Sequence, residues 1–496
     1  MANEGQTVCK ESAWSSSIRA EPVQLSIEFD IHKIEFDIQR LKLSSRFHPL
    51  AEEFLMRIKL FTLALAFIAL GLSTAAPAYA NGRPELLARQ AVSVNAAESA
   101  AAIAELRALG PAGLEALRQV FAEEIRRAAA APGGAVPAAD ANWERIAAAL
   151  DGVSRQRNSY ASGLYWYTDF EQAVKAAKAS GKPILSLRLL GQLDEEFSCA
   201  NSRFFRTVLY ANREVSAYLR EHFILHWKSV RPAPRVTVDF GDGRKLERTV
   251  TGNSIHYILD RNGSPVDALP GLYGPAAFLR GLAGAEAVAR QLAADNAQQR
   301  SQILDEYHRA RIKAISAAWI ADVEKTGSPL PEAIAARTSK GKTPSAVEVA
   351  ALAMTKSVTE ASIVRGMTSD ATALEAATDM TTWNKIAALH GADARLDESS
   401  LALIARQNAN LRETPELMAR LRQNLESYIA LDTVRNEYML RTKLHAWLAA
   451  GAQRLDVERL NERVYAELFL TPRSDPWLGL YSPDIYTALD NGGISK

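Results

Sequence analysis

Phe197 to Phe205 of this 496-residue chain read FSCANSRFF, with Cys199 and Ser202 three residues apart at the head of an apolar helical stretch. A sulfur at a helix start meets unpaired backbone N–H groups and the positive end of the helix dipole, and both favour the thiolate over the thiol. Arg203 and Arg206 in the first turns would add to that preference. Asp194, Glu195 and Glu196, just upstream, would oppose it. A second cysteine at 202 would let the pair take up and pass on a disulfide, and Ser202 cannot release a bound partner that way. The chemistry open to Cys199 is a mixed disulfide with a protein partner's thiol, or oxidation to a sulfenic acid. Such a mixed disulfide would be long-lived. The other role open to Cys199 is structural, since a buried cysteine packs as a small apolar group.

Other residue sets carry less chemistry. The only cysteines are Cys9 and Cys199, which excludes a disulfide framework and a cysteine-rich metal site. His222 and His226 are four apart but straddle a helix end and a strand, so they do not share a helical face as metal ligands would. DFGDGR, Asp239 to Arg244, has the Asp-Gly content of a calcium loop without its ligand spacing, and reads as a hairpin turn. Glu437, Arg441 and His445 recur at helical spacing, the pattern of a salt-bridge row beside Trp447 or, as the alternative, of a catalytic face. There is no phosphate-binding glycine loop, zinc-protease motif or nucleophile elbow, so no cofactor and no bound metal are expected.

The elements that must position Cys199 follow from composition and periodicity. The chain is 48% hydrophobic and 23% charged, with net charge +1, which fits folded domains and offers no basic face for nucleic acid. Residues 56–80 combine a basic start, an apolar run from Leu60 to Leu72 and Ala78-Tyr79-Ala80, the pattern of a cleaved export signal. Met56 then reads as the true start and residues 1–55, with their local duplication IEFDIHKIEFDI, as a mis-called extension. The expected location is periplasmic or secreted, with a membrane attachment only if the signal is retained as an anchor. An unpaired thiol in such an oxidising compartment should be buried or used. Residues 81–157 are Ala-rich and helical, with a hairpin broken at Gly110-Pro111. Ile103, Leu106 and Leu109 mark one apolar face, and Leu114, Leu117, Val120 and Phe121 the other. Ala128 to Asp140 has linker composition. Residues 286–496 predict an irregular helical domain, with a loop around Lys340-Gly341-Lys342. Leu417, Leu421, Leu425 and Tyr428 form one apolar face in it, and Val457, Leu460, Val464 and Leu468 another. Phe469 to Tyr486, aromatic and proline-rich, suits an arm packed over a domain surface or, as the alternative, a partner-docking segment.

Residues 158–285 change character. Phe170 to Ser180 predicts a helix stopped by Gly181, and Ile184 to Leu190 a buried strand. A helix from about Ala200 to His222 and the strand FILHWKSV follow. VTVDFGDGRKLERTV and IHYILDRNGSPVDAL predict two hairpins, the second turning at Asn262-Gly263, and a last helix begins near Pro275. The order βαβ, antiparallel strands, helix predicts a mixed sheet with helices on both faces.

This region resembles the thioredoxin-like superfamily, in its branch of secreted bacterial proteins. The resemblance rests on Trp166 with DFEQAVKAAKASGKPIL, on Cys199 at a helix start, on NREVSAYLREHFI from Asn212, and on YILDRNGSPVDALPG from Tyr257. It implies an α/β thioredoxin-like domain, a mixed sheet with helices on both faces, flanked by all-α segments. Redox-active members open this helix with Cys-x-x-Cys and face it with a cis-proline. Here the resolving position is Ser202, the proline position falls on Ser254, and Gly252-Asn253 precede it. A cis bond before a residue other than proline costs about 3 kcal/mol, so a trans loop of different shape is expected at Asn253-Ser254. His256 lies two residues on, on the same side of its strand, and reads as a packed sheet histidine or as a base for Cys199. The resemblance implies a thiol-related accessory protein without dithiol turnover, binding an unknown protein partner through Cys199. The other reading is a non-catalytic thioredoxin-fold binding or scaffolding module.

Overall fold

Why residues 158–285 form a sheet is visible in their pairing. The computed structural model describes residues 82–129, 140–249, 252–292, 296–331, 373–408, 414–478 and 494. All belong to one compact unit, Tyr79–Lys496. Residues 1–55, the export signal at 56–80, most of the Ala128–Asp140 linker, the loop around Gly341 and the arm beyond 478 lie outside the described residues. Among those described, no helix is long and apolar enough to cross a membrane.

The amino-terminal helices are α1 (Arg83–Gln90), α2 (Ala96–Ala108), α3 (Pro111–Val120), α4 (Ala122–Ala129) and α5 (Ala141–Ser154). Asn95 starts α2 by accepting from the backbone N–H of Ala97 and Glu98 at 3.0 and 3.3 Å, and Asp140 caps α5 in the same way. Leu106, Leu114, Leu117, Ile146, Leu150 and Val153 form their shared core. Leu109, expected on that face, is 45% exposed, because α2 ends at Ala108 and the chain turns at Gly110 with φ +69°. Arg107 fastens this layer to the next by donating to the carbonyls of Val153 and Trp166 at 2.8 and 2.6 Å.

The central sheet has five strands in the order β1-β3-β2-β6-β7. They are β1 (Trp166–Tyr167), β2 (Ile184–Leu190), β3 (Ile224–Arg231), β6 (Ser254–Leu259) and β7 (Pro265–Pro270). The first three run parallel, and β6 and β7 pair antiparallel to β2 and to each other. Between β3 and β6, β4 (Arg235–Asp239) and β5 (Lys245–Thr249) form a separate two-stranded ribbon rather than part of the sheet. Its Val236, Val238 and Leu246 are exposed. α6 (Phe170–Ser180) packs on one face, where Phe170 meets His226. The other face takes α7 (Ala200–Phe204), α8 (Arg213–His222) and α9 (Pro275–Gln291), through Phe205 and Phe278 against His256. The single helix expected from Ala200 to His222 is broken. Phe205–Leu209 forms a wide π turn, and Asn212 then caps α8 through the Val215 N–H at 3.0 Å.

The helices that follow include α10 (Ala297–Lys325), α11 (Met380–Leu389), α12 (Glu398–Gln407), α13 (Pro415–Arg435), α14 (Thr442–Ala449) and α15 (Val457–Arg463). One continuous apolar cluster runs from the sheet into them. Val457, Leu460, Val464 and Leu468 are buried as their spacing predicts. Leu417 and Tyr428 are exposed, so the expected face of α13 is covered only in part. Arg441 and His445 of the expected salt-bridge row are buried. Asn436–Arg441 is a π turn, Arg441 is buried, and it reaches Asp267 on β7 at 2.7 Å as well as Glu437 at 3.0 Å. His445 meets His308 at 3.0 Å. Arg441 and His445 are buried and find partners across the domain, while the Glu437–Arg441 pair runs along the segment as their spacing predicts.

Candidate functional site

Cys199 caps α7 just beyond the carboxyl end of β2, its N–H bonded to the Leu190 carbonyl at 3.0 Å. Gly191 makes the turn between them possible. Its φ is +74°, and a Cβ there would lie 3.0 Å from the Ser198 Cα. Cys199 is completely buried within the apolar cluster. Ser202 is also buried, and its hydroxyl donates to the Cys199 carbonyl at 2.9 Å, a local helix contact.

Ser254 stands directly across from Leu189 in the β2–β6 pairing, which brings it to the same end of the sheet as Cys199. It is buried, with its hydroxyl unpartnered. No cis peptide bond occurs among the described residues, so the bond before Ser254 is trans. Asn253 faces the carboxy-terminal segment. Its amide donates to the Thr471 hydroxyl at 3.1 Å, and its carbonyl accepts from the Tyr465 hydroxyl at 3.0 Å. Arg231, at the end of β3, donates to the Thr471 and Asp475 carbonyls, both at 2.9 Å. Tyr465 is almost completely buried and lies within electrostatic reach of Cys199. Burial, with Cys199 adding, pushes its phenol well above its ordinary value. Residues 464–478 are thus fastened to Asn253 and to the end of β3, at the end of the sheet where Cys199 and Ser254 lie.

The charged residues flanking Cys199 are engaged elsewhere. Asp194 pairs with Arg155 at 3.2 Å and Glu196 with Arg157 at 2.6 Å, while Glu195 accepts from Gln192 at 2.8 Å. Arg206 is buried and donates to the carbonyls of Leu193 and Glu195 at 3.3 and 2.7 Å. Burial pushes its guanidinium down to about 10. Arg203 donates to the Thr249 hydroxyl at 2.9 Å. His256 does not serve Cys199. Its Nε2 meets the Tyr210 hydroxyl at 2.7 Å and its ring packs on Phe205 and Phe278, with burial holding it down at about 3. His222 bonds Glu286 at 2.9 Å and His226 bonds Ser186 at 2.8 Å, so the two histidines go to different partners.

A second feature was not singled out from the sequence. Ser186, Arg188, His226 and Lys228 alternate along β2 and β3 and share one face, since Ser186 opposes His226 and Arg188 opposes Lys228. Arg188 is 1% exposed and donates to Glu458 of α15 at 2.8 Å. Lys228 reaches the other oxygen of Glu458 at 3.1 Å. Burial, with Arg188 and Lys228 adding, holds His226 down at about 3, so it is neutral at physiological pH. A cavity of about 780 Å³ opens between this end of β3 and the segment from Glu458 to Arg473. The period-2 polar positions in ILSLRLL and ILHWKSV were the available signal, since a strand buried in apolar surroundings on both faces has no use for Ser and Arg at alternate positions.

The arrangement around Cys199 holds one buried thiol, and among the described residues no second cysteine is present to resolve a disulfide. No family model, curated protein or solved structure matches this chain.

Proposed function

We propose that residues 158–285 are a thioredoxin-like domain in an exported, periplasmic or secreted protein, and that it acts as a non-catalytic binding or scaffolding module. The observation that carries this reading is the complete burial of Cys199, with Tyr465 of the carboxy-terminal segment within electrostatic reach of it. The βαβ unit, the two antiparallel strands that extend its sheet, and the cysteine at a helix start after β2 support the fold reading. Fold alone does not fix activity, and here the residues that would carry redox turnover are absent. Ser202 replaces the resolving sulfur and is itself buried. A thiol-linked accessory role would require the carboxy-terminal segment to lift away from Asn253.

The test is reduction of a disulfide substrate by the purified protein and by Ser202→Cys, which restores the spacing of a dithiol site. Both proteins should be inactive, because a buried pair cannot meet a substrate disulfide. Turnover by Ser202→Cys would refute the non-catalytic reading and leave Cys199 as a degenerate redox residue. Export rests on residues 56–80, and an intact mass beginning at Asn81 checks it.

A further inference from the structure

We propose that the cleft between the end of β3 and α15 binds a small organic polyanion whose charge is carried by carboxylate or phosphate groups. Four cations, Arg188, Lys228, Arg231 and Arg473, line it against two carboxylates, Glu458 and Glu462. A concave surface with an excess of one sign focuses its field and gathers counter-charge. Two of the four guanidinium or ammonium groups are also incompletely bonded. Arg188 is 1% exposed and spends its terminal nitrogens on Ser186 and Glu458, leaving Nε without a partner. Arg231 spends its terminal nitrogens on two backbone carbonyls, and its Nε is likewise unpartnered. The same enclosed, unpartnered Nε occurs in Arg203, Arg206, Arg311 and Arg441 away from the cleft, so what calls for an anion here is the excess of cations lining it.

Position and size agree. Arg188 and Lys228 to Arg231 lie toward the carboxyl ends of the parallel strands β2 and β3, the end of an α/β sheet at which ligands bind. The volume of about 780 Å³ falls in the range of small-molecule sites. Glu458, bonded to both Arg188 and Lys228, leaves Arg231 and Arg473 as the cations that bond to no carboxylate among the described residues lining the cleft, so the ligand's charge belongs on that side.

Calorimetric titration of the full chain at constant ionic strength tests this, with citrate and pyrophosphate as probes and sodium chloride as the control. Saturable binding of citrate alone identifies carboxylate as the ligand chemistry, and of pyrophosphate alone, phosphate; either supports the site. Lys228→Gln with Arg473→Gln leaves two cations against two carboxylates, and binding should weaken about tenfold. Glu462→Gln should tighten it. Lys178→Gln, on the exposed side of α6, should leave it unchanged. No saturable binding of either probe, or equal affinity in the double variant and in Lys178→Gln, overturns the proposal.

Discussion

Replacing Tyr465 by Phe tests whether the carboxy-terminal segment is what shields Cys199. Four hydrogen bonds fasten residues 464–478 to Asn253 and to the end of β3: Tyr465 to the Asn253 carbonyl, Asn253 to Thr471, and two from Arg231 to the Thr471 and Asp475 carbonyls. At about 1 kcal/mol for each neutral bond and about 1.5 for each guanidinium bond, local opening costs about 5 kcal/mol. Opening on that scale should slow alkylation of Cys199 by a factor of about 10³ to 10⁴ relative to a free thiol. Tyr465→Phe keeps the buried ring and deletes one bond, about 1 kcal/mol, so labelling should accelerate about fivefold. The assay is pulsed alkylation of the native full chain, read by peptide mass spectrometry so that Cys9 and Cys199 are counted separately. Leu117→Ala provides the contrast. It cuts a cavity in the amino-terminal helical core, at a cost of about 2–5 kcal/mol, and touches nothing near Cys199. If opening is local, Leu117→Ala lowers global stability and leaves the labelling rate unchanged. Wild-type labelling at the rate of a free thiol, or an unchanged rate in Tyr465→Phe, would refute the closure argument.

Three further outcomes follow from the buried polar groups and from the turn before Cys199. His226 and His256 are held down at about 3 by burial, so the unfolded chain takes up their protons near pH 6.5 while the folded chain does not. The stability they contribute is present above pH 6.5 and is lost as pH falls toward 3. Asp151, raised by burial to about 6, has the opposite sign, its contribution being present below about pH 4 and lost as pH rises to about 6. Two histidines outweigh one carboxyl, each at about 1.4 kcal/mol per pH unit, so the thermal midpoint should be lower at pH 5 than at pH 7. Asp267→Asn removes the charge that holds buried Arg441 at 2.7 Å and weakens acceptance from Tyr307 at 2.6 Å, and urea unfolding should show a loss of about 3–5 kcal/mol. Gly191→Ala forces a side chain into φ +74° and against the Ser198 backbone, and the same measurement should show a loss of about 1–3 kcal/mol.

Local chemistry made much of the central domain legible. Apolar runs bounded by Gly181 and Asn262-Gly263 locate β2, the β6–β7 hairpin and their order, because strand periodicity and turn residues are properties of short segments. Cys199 at a helix start, the absence of a sulfur at 202 and the trans bond before Ser254 are equally local. Other features were set by what packs from far along the chain. The helix expected from Ala200 to His222 breaks into a π turn and a capped helix where Phe205 and Tyr210 pack around His256. Glu437 and Arg441 pair at helical spacing as their sequence reads, but β7 and α10 also bring Asp267 to Arg441 and His308 to His445, and both become buried. The burial of Cys199 is the clearest case. A cysteine at a helix start suits a stabilised thiolate, yet Tyr465, more than 200 residues on, lies within electrostatic reach of the buried thiol and bonds to Asn253. Sequence spacing sets which chemistry a residue can do, while solvent access depends on segments with no sequence proximity to it, and here that access is what separates a reactive thiol from a shielded one.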